Sequence, residues 1–184
     1  MATELLQNCD FALTKIKRLF ISSRKDDGTT IDFPIEYNTI SGTSDSIIQV
    51  TSWDEDAGYC TIGGQTLEIT EISVFSDYMT FTEEYQENKQ GKTYLKKLEF
   101  QLPRVNYTTN AALKQFLFTA DDEFAVCKAV AFIEDENSHL WIVGETIPLI
   151  LQSGMELGVS DENYYKLSFQ SIGYNRSRTY QIQA

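Results

Sequence analysis

A single histidine, three cysteines and three prolines leave this 184-residue chain short of the residue types that most often carry chemistry. Any Ser-His-Asp or Cys-His arrangement has to be built around His139, which sits beside Leu140 and Trp141 in strand-like sequence with no local catalytic signature. The cysteines, Cys9, Cys60 and Cys127, are odd in number and far apart. That spacing excludes a local zinc or dithiol motif and fits free thiols in a reducing cytosol. Long apolar runs are missing as well. The opening MATELLQNCDFALTKIKRLFIS is broken by charge throughout. It reads as neither a signal-peptide core nor a membrane span, so folding in a cytosol without membrane contact is expected.

Basic charge is scarce too. Fifteen Lys and Arg stand against 27 Asp and Glu, for a net charge of −12. Affinity for the phosphate backbone rests on basic side chains, so a protein that grips nucleic acid is disfavoured. A protein that nucleic acid slides past is still compatible with this charge. The acids gather at Asp26-Asp27, Asp54-Glu55-Asp56, Asp121-Asp122-Glu123 and Glu134-Asp135-Glu136, all in turn-like sequence. None has the spacing of an EF-hand loop, and no GxxxxGK phosphate cradle occurs. No catalytic, cofactor-binding or metal-binding residue is assigned, and the chain is expected not to be an enzyme.

Aromatic residues are plentiful: ten Tyr, eleven Phe and two Trp suit strands better than a lean helical bundle. Lys15 to Ser22 alternates, with Ile16, Arg18 and Phe20 on one face and Lys17, Leu19 and Ile21 on the other. Asp32 to Asp45 reads as a loop or edge arm around Pro34. Gly63-Gly64, between Tyr59–Ile62 and Gln65–Val74, is a two-residue hairpin signal. Phe75 to Glu84 and Thr93 to Leu102 form a second, longer hairpin, with Tyr85 to Lys92 as its polar tip. Thr109 to Ala120 is the one convincing helix. A threonine caps it, and Leu113, Phe116, Leu117 and Ala120 share a face.

In the last third, Phe124 to Asp135 is apolar on both faces, as a strand buried on both sides would be. His139 to Leu151 returns from it, interrupted at Gly144 by a bulge or close approach. Gln152 to Asn163 reads as a loop and Tyr164 to Tyr174 as an alternating strand. The polar tail 175–184 reads as a strand that a neighbouring subunit could receive. The expected fold is therefore mainly β: a β-sandwich or barrel of antiparallel hairpins with one flanking α-helix at about 109–120 and extended arms. One domain spans 1–184, with an N-terminal arm at 1–10 and a C-terminal arm at 175–184.

The run from Val126 to Ser177 (VCKAVAFIEDENSHLWIVGETIPLILQSGMELGVSDENYYKLSFQSIGYNRS) resembles the C-terminal part of tail-tube-like and tail-ring structural proteins of tailed bacteriophages, especially Bacteroidetes-type and crAss-like phages. The shared pattern is an apolar strand, an acidic turn, an aromatic-containing strand ending in Gly, a Gly-rich loop and an alternating strand. The opening ALTKIKRLFIS and the YLKKLEFQLPR ribbon are similar as well, whereas Asp32 to Asp45 and Asp54 to Ala57 have no counterpart. The resemblance implies a non-enzymatic virion protein assembled in the host cytoplasm. It would form a hexameric or dodecameric ring of the tail with itself, against neighbouring tail or portal-side ring proteins. Genomic DNA would pass through without specific binding. On that reading Asp77, Glu83, Glu84 and Glu99 face the lumen, and Gln86, Glu87, Asn88, Lys89, Gln90 and Gly91 form an inter-subunit ribbon tip. The rival readings are a carbohydrate- or receptor-binding β-module, a head or capsid accessory protein of the particle, and a small enzyme.

Overall fold

The structure, a computed structural model, describes residues 15–35, 38–39, 46–47, 50–72, 76–88, 91–103, 128–157, 164–174 and 178–180. The described residues are mainly β, and every strand pairing among them is antiparallel. The expected helix at 109–120 and the arm at 1–10 lie outside the described residues.

The strands in chain order are β1 (Ile16–Ser22), β2 (Asn38–Thr39), β3 (Ser46–Ile47), β4 (Val50–Asp54), β5 (Tyr59–Ile62), β6 (Gln65–Glu68) and β7 (Thr70–Glu71). After a 3-10 turn at Ser76–Tyr78 come β8 (Met79–Asn88), β9 (Gly91–Pro103), β10 (Lys128–Asp135), β11 (Leu140–Val143), β12 (Leu149–Leu157), β13 (Tyr164–Gly173) and β14 (Arg178–Tyr180). The largest sheet runs β14-β11-β10-β12-β13-β9-β8, with β1 added to β10 and β7 added to β1. β4-β5-β6 form a separate small sheet, and β2 pairs with β3.

Strand β10 is the hinge of this architecture because both of its faces are buried. Ala129, Ala131 and Ile133 face one core together with Leu19, Ile21, Trp141 and Val143; Met79, Leu98, Phe100, Leu167 and Phe169 fill the other side. Val130 and Phe132 face a second core, shared with Phe20, Ile142 and the small-sheet residues Val50, Cys60, Ile62 and Leu67. The period-2 geometry of a strand sends alternate side chains to opposite faces, so an unbroken apolar run fills two cores. Each fully buried Phe, Leu or Ile contributes about 1.5–3 kcal/mol relative to exposure.

β1 departs from simple alternation. Its pairing with β10 shifts register between Ile16 and Arg18. The extra residue reverses the face that follows. Ile16 therefore joins Leu19 and Ile21 in the first core instead of lying beside Phe20.

The turns follow their residues. Gly63 and Gly64 hold φ of 55° and 74°, a pair that only glycine adopts without strain, and they close β5 onto β6 at Ile62 and Gln65. At Gly144, with φ of 92°, a Cβ would lie 2.9 Å from the Ala129 carbonyl and 3.0 Å from Leu149 N. There the chain leaves β10, makes an excursion over 144–148, and resumes pairing when Leu149 meets Ala129.

Three boundaries differ from the sequence reading. The long hairpin pairs as far as Asn88 and Gly91, so Gln86, Glu87 and Asn88 belong to a strand and the connection shortens to Lys89-Gln90. Polar alternation on a two-stranded ribbon with both faces wet resembles loop sequence, which hid those strand residues. β12 runs on through Leu157, so residues 152–157 are strand and not loop. Arg178–Tyr180 of the tail pairs with β11 of its own chain, at Leu140, Trp141 and Ile142, instead of being left for a neighbour.

Candidate functional site

Side chains of opposite sign meet at the seam between the two sheets. Arg18 leaves β1 and bonds Glu55 in the β4–β5 turn at 2.7 Å and 3.0 Å, and Glu71 of β7 at 2.8 Å and 3.1 Å. Its guanidinium lies 4.7 Å from the centroid of the Phe20 ring. Hydrogen bonds donated to Glu71 and then Glu55 hold it firmly protonated, above its ordinary range. Glu55 also accepts the Trp53 indole N–H at 2.9 Å, and these two partners, Arg18 first, hold its carboxyl below the usual range. Trp53 in turn packs edge-on against Phe20 and Phe132. One planar, five-donor cation thus ties the small sheet to the large one.

A second polar knot closes the β10–β11 turn. Asp135 is 1% exposed, yet its carboxylate accepts the Asn137 and His139 backbone N–H groups, both at 2.9 Å, and the Trp141 indole at 3.1 Å. The His139 ring lies 3.4 Å away. Burial opposes the charge, but these donors outweigh it and hold the carboxyl below its ordinary range. His139 is thereby drawn into a turn that its own backbone helps to close.

The four acids read as lumen-facing are not gathered on one face. Asp77 lies in the 3-10 turn and pairs with Lys15 at 2.8 Å. Glu83 is in register with Lys96, on the face that carries Met79 and Phe81 toward the core, whereas Glu84, one residue on, belongs to the opposite face. Glu99 shares the face of Glu84. It is bound by Lys97 at 3.1 Å and Lys166 at 3.3 Å, so this stretch alternates in sign instead of being uniformly acidic. Of the ribbon-tip residues, Gln86, Glu87 and Asn88 pair with Thr93, Lys92 and Gly91. Lys89 and Gln90 lie outside the described residues.

Cys60 is buried, and desolvation pushes its thiol up to about 12, which makes it a packed apolar group. Cys9 and Cys127 lie outside the described residues. Among the described residues no group of three or more His, Cys, Asp or Glu is placed to share a metal ion, and no helix is long and apolar enough to cross a membrane.

One feature was not legible in the sequence. A cleft of about 40 Å³ opens where the 144–148 excursion covers the ends of β9 and β13, lined by Lys96, Glu145, Ile147, Ser171, Gly173 and Tyr174. Its residues come from three separate segments. The only local signal was the strand break at Gly144.

No family model, curated protein or solved structure matches this chain.

Proposed function

We propose that this chain is a non-enzymatic structural subunit of a tailed-phage particle, joining copies of itself into a ring or tube of the tail around the DNA conduit. The reading rests on two edges of the large sheet, the short β7 being a third. β8, ten residues long, ends it on one side and pairs only with β9 among the described residues. It carries Glu83, Glu84 and Glu87 and no basic residue. At the other end is β14, which carries Arg178 two residues after Arg176 and no acid.

Open strand edges are templates for main-chain pairing. Charge selects among the possible pairings. β8 against β8 of a second copy sets carboxylates against carboxylates, whereas β8 against β14 of the next copy meets a strand whose sequence carries no acid. That contact is heterologous, and repeating it yields a closed ring or an open helix of sheets. The subunits would form a hexamer or dodecamer that stacks on neighbouring tail or portal-side rings. A net charge of −12 per subunit then repels passing DNA. Of the acids considered, Glu84 keeps an exposed carboxylate on the outer face of the ribbon, while Glu99 is neutralised by its two lysines.

Negative-stain electron microscopy across a concentration series, with native mass on the same samples, tests the proposal. Rings or tubes with a central pore are expected. A monomer at every concentration, also in the presence of the neighbouring tail proteins, overturns it.

A further inference from the structure

The sequence holds one Asp-Gly bond, Asp27-Gly28, and no Asn-Gly bond. Glycine has no side chain to shield its amide nitrogen, so an aspartate before it is where a backbone most readily attacks its own side chain. The amide nitrogen adds to the Asp carboxyl carbon. The carboxyl C–O bond breaks, and its hydroxyl leaves with the amide proton as water. Water then opens the five-membered imide at either carbonyl. One opening returns Asp, and the other routes the main chain through the side chain as isoaspartate. Water is the only co-reactant.

The turn around Asp27-Gly28 decides whether this happens. Lys25 N donates to the Thr29 carbonyl at 2.8 Å and Gly28 N to the Lys25 carbonyl at 3.0 Å. Gly28 holds φ of 80°, the left-handed residue that closes such a turn. Asp27, Gly28 and Thr29 are all exposed, so solvent reaches the bond.

Two features oppose the attack. The proton of the attacking nitrogen is committed to the Lys25 carbonyl. The electrophile is occupied as well: Asp27 Oδ1 accepts the Thr29 hydroxyl at 2.6 Å and the Thr29 N–H at 2.9 Å. These donors, the hydroxyl first, hold the Asp27 carboxyl below its ordinary range. An ionised carboxylate has no hydroxyl to lose as water and is the unreactive form.

We propose that Asp27-Gly28 is a site of spontaneous isoaspartate formation, and that the Thr29 hydroxyl holds it shut in the folded chain. The consequence reaches the small sheet. Asp26 N donates to the Thr66 carbonyl at 3.1 Å, and Glu68 N to the Arg24 carbonyl at 3.2 Å. The Arg24 guanidinium bonds the Glu68 carboxylate at 2.5 Å and 3.0 Å. Isoaspartate adds one atom to the main chain between Lys25 and Thr29, which takes this closure out of register and loosens the anchorage of β6. None of this depends on ring assembly.

Peptide mapping by mass spectrometry, with the Asp and isoaspartate forms separated by chromatography, tests it on the full chain aged at neutral pH. Wild type should convert at Asp27 about tenfold or more faster in guanidinium chloride than in buffer, because the protecting turn is then absent. In buffer, Thr29→Val, which keeps the shape and removes the hydroxyl, should convert about threefold or more faster than wild type. Thr29→Ser restores the donor and should match wild type. In denaturant all three should convert at one rate, which separates the hydroxyl's hold from any effect of the side chain on the bond itself. The converted fraction should show faster amide exchange at Asp26 and Glu68. If Thr29→Val fails to fold, wild type in buffer against denaturant decides. Equal wild-type rates in the two media, equal rates for wild type and folded Thr29→Val, or isoaspartate at other positions and not at Asp27 overturns the proposal.

Discussion

Trp141 donates its indole N–H to Asp135 across the β10–β11 turn, at 3.1 Å, so the aromatic ring enters the core without burying an unpaired donor. The same carboxylate takes two backbone N–H groups of the turn. One residue therefore sets the geometry of the hairpin on which the two cores are built.

Asp135→Ala should strand the Trp141 and turn donors in a buried site and cost about 3 kcal/mol or more, read from urea unfolding. The pH dependence follows from the direction of the shift. The folded carboxyl titrates below its unfolded value. Its contribution is thus complete above the ordinary carboxylate range and is lost as pH falls through the folded value. The acid limb of the stability curve should flatten in Asp135→Ala. An unchanged limb would show that other carboxylates govern acid unfolding.

Ser138 holds φ of 62° at the end of that turn, a left-handed conformation that costs a residue with a Cβ roughly 1 kcal/mol. Ser138→Gly should raise the thermal midpoint slightly, with a gain of about 0.5 kcal/mol at most once the added freedom of the unfolded chain is subtracted. A fall in the midpoint would mean that the hydroxyl contributes more than the strain costs.

Gly144→Ala should destabilise by about 2 kcal/mol or more. Its φ of 92° disfavours any side chain, and the new methyl would meet the Ala129 carbonyl at 2.9 Å. Amide exchange should show the loss concentrated where β12 rejoins β10. Wild-type stability in this variant would contradict the close approach.

Arg18→Met keeps apolar bulk over Phe20 and removes the cation that Glu55 and Glu71 share. Because the network is partly exposed, the expected cost is only about 1 kcal/mol, shrinking as salt is raised. Glu55 is held below its ordinary range chiefly by Arg18. That share of stability is present above the unfolded carboxylate value and disappears as pH falls through the folded one, so the variant and the wild type should converge in acid. A difference that persists at low pH would assign the effect to packing.

The edge pairing proposed for assembly makes a charge-swap prediction. Glu84→Lys with Glu87→Lys should abolish self-association, and so should Arg176→Glu with Arg178→Glu. The four changes together should restore it, as read by native mass. If rings form normally in all three variants, the subunits join elsewhere, and the ring reading itself survives.

Much of the strand layout was legible in residues whose local chemistry leaves little choice. Gly63-Gly64 demanded a two-residue hairpin, and the doubly apolar run Phe124 to Asp135 demanded a strand with two buried faces, which is described over Lys128–Asp135. Composition set an expectation about partners, because scarce lysine and arginine leave little to hold phosphate. Tertiary structure decided what depends on register. A single added residue at the β1 bulge moved Ile16 to another core, and ribbon alternation separated Glu83 from Glu84. It also closed the tail onto β11 and assembled the Lys96 cleft from three distant segments. The physical reason is common to all of these. Side-chain periodicity and turn preference act over a few neighbours and are written locally, whereas which strand lies beside which is settled by burial summed over the whole chain.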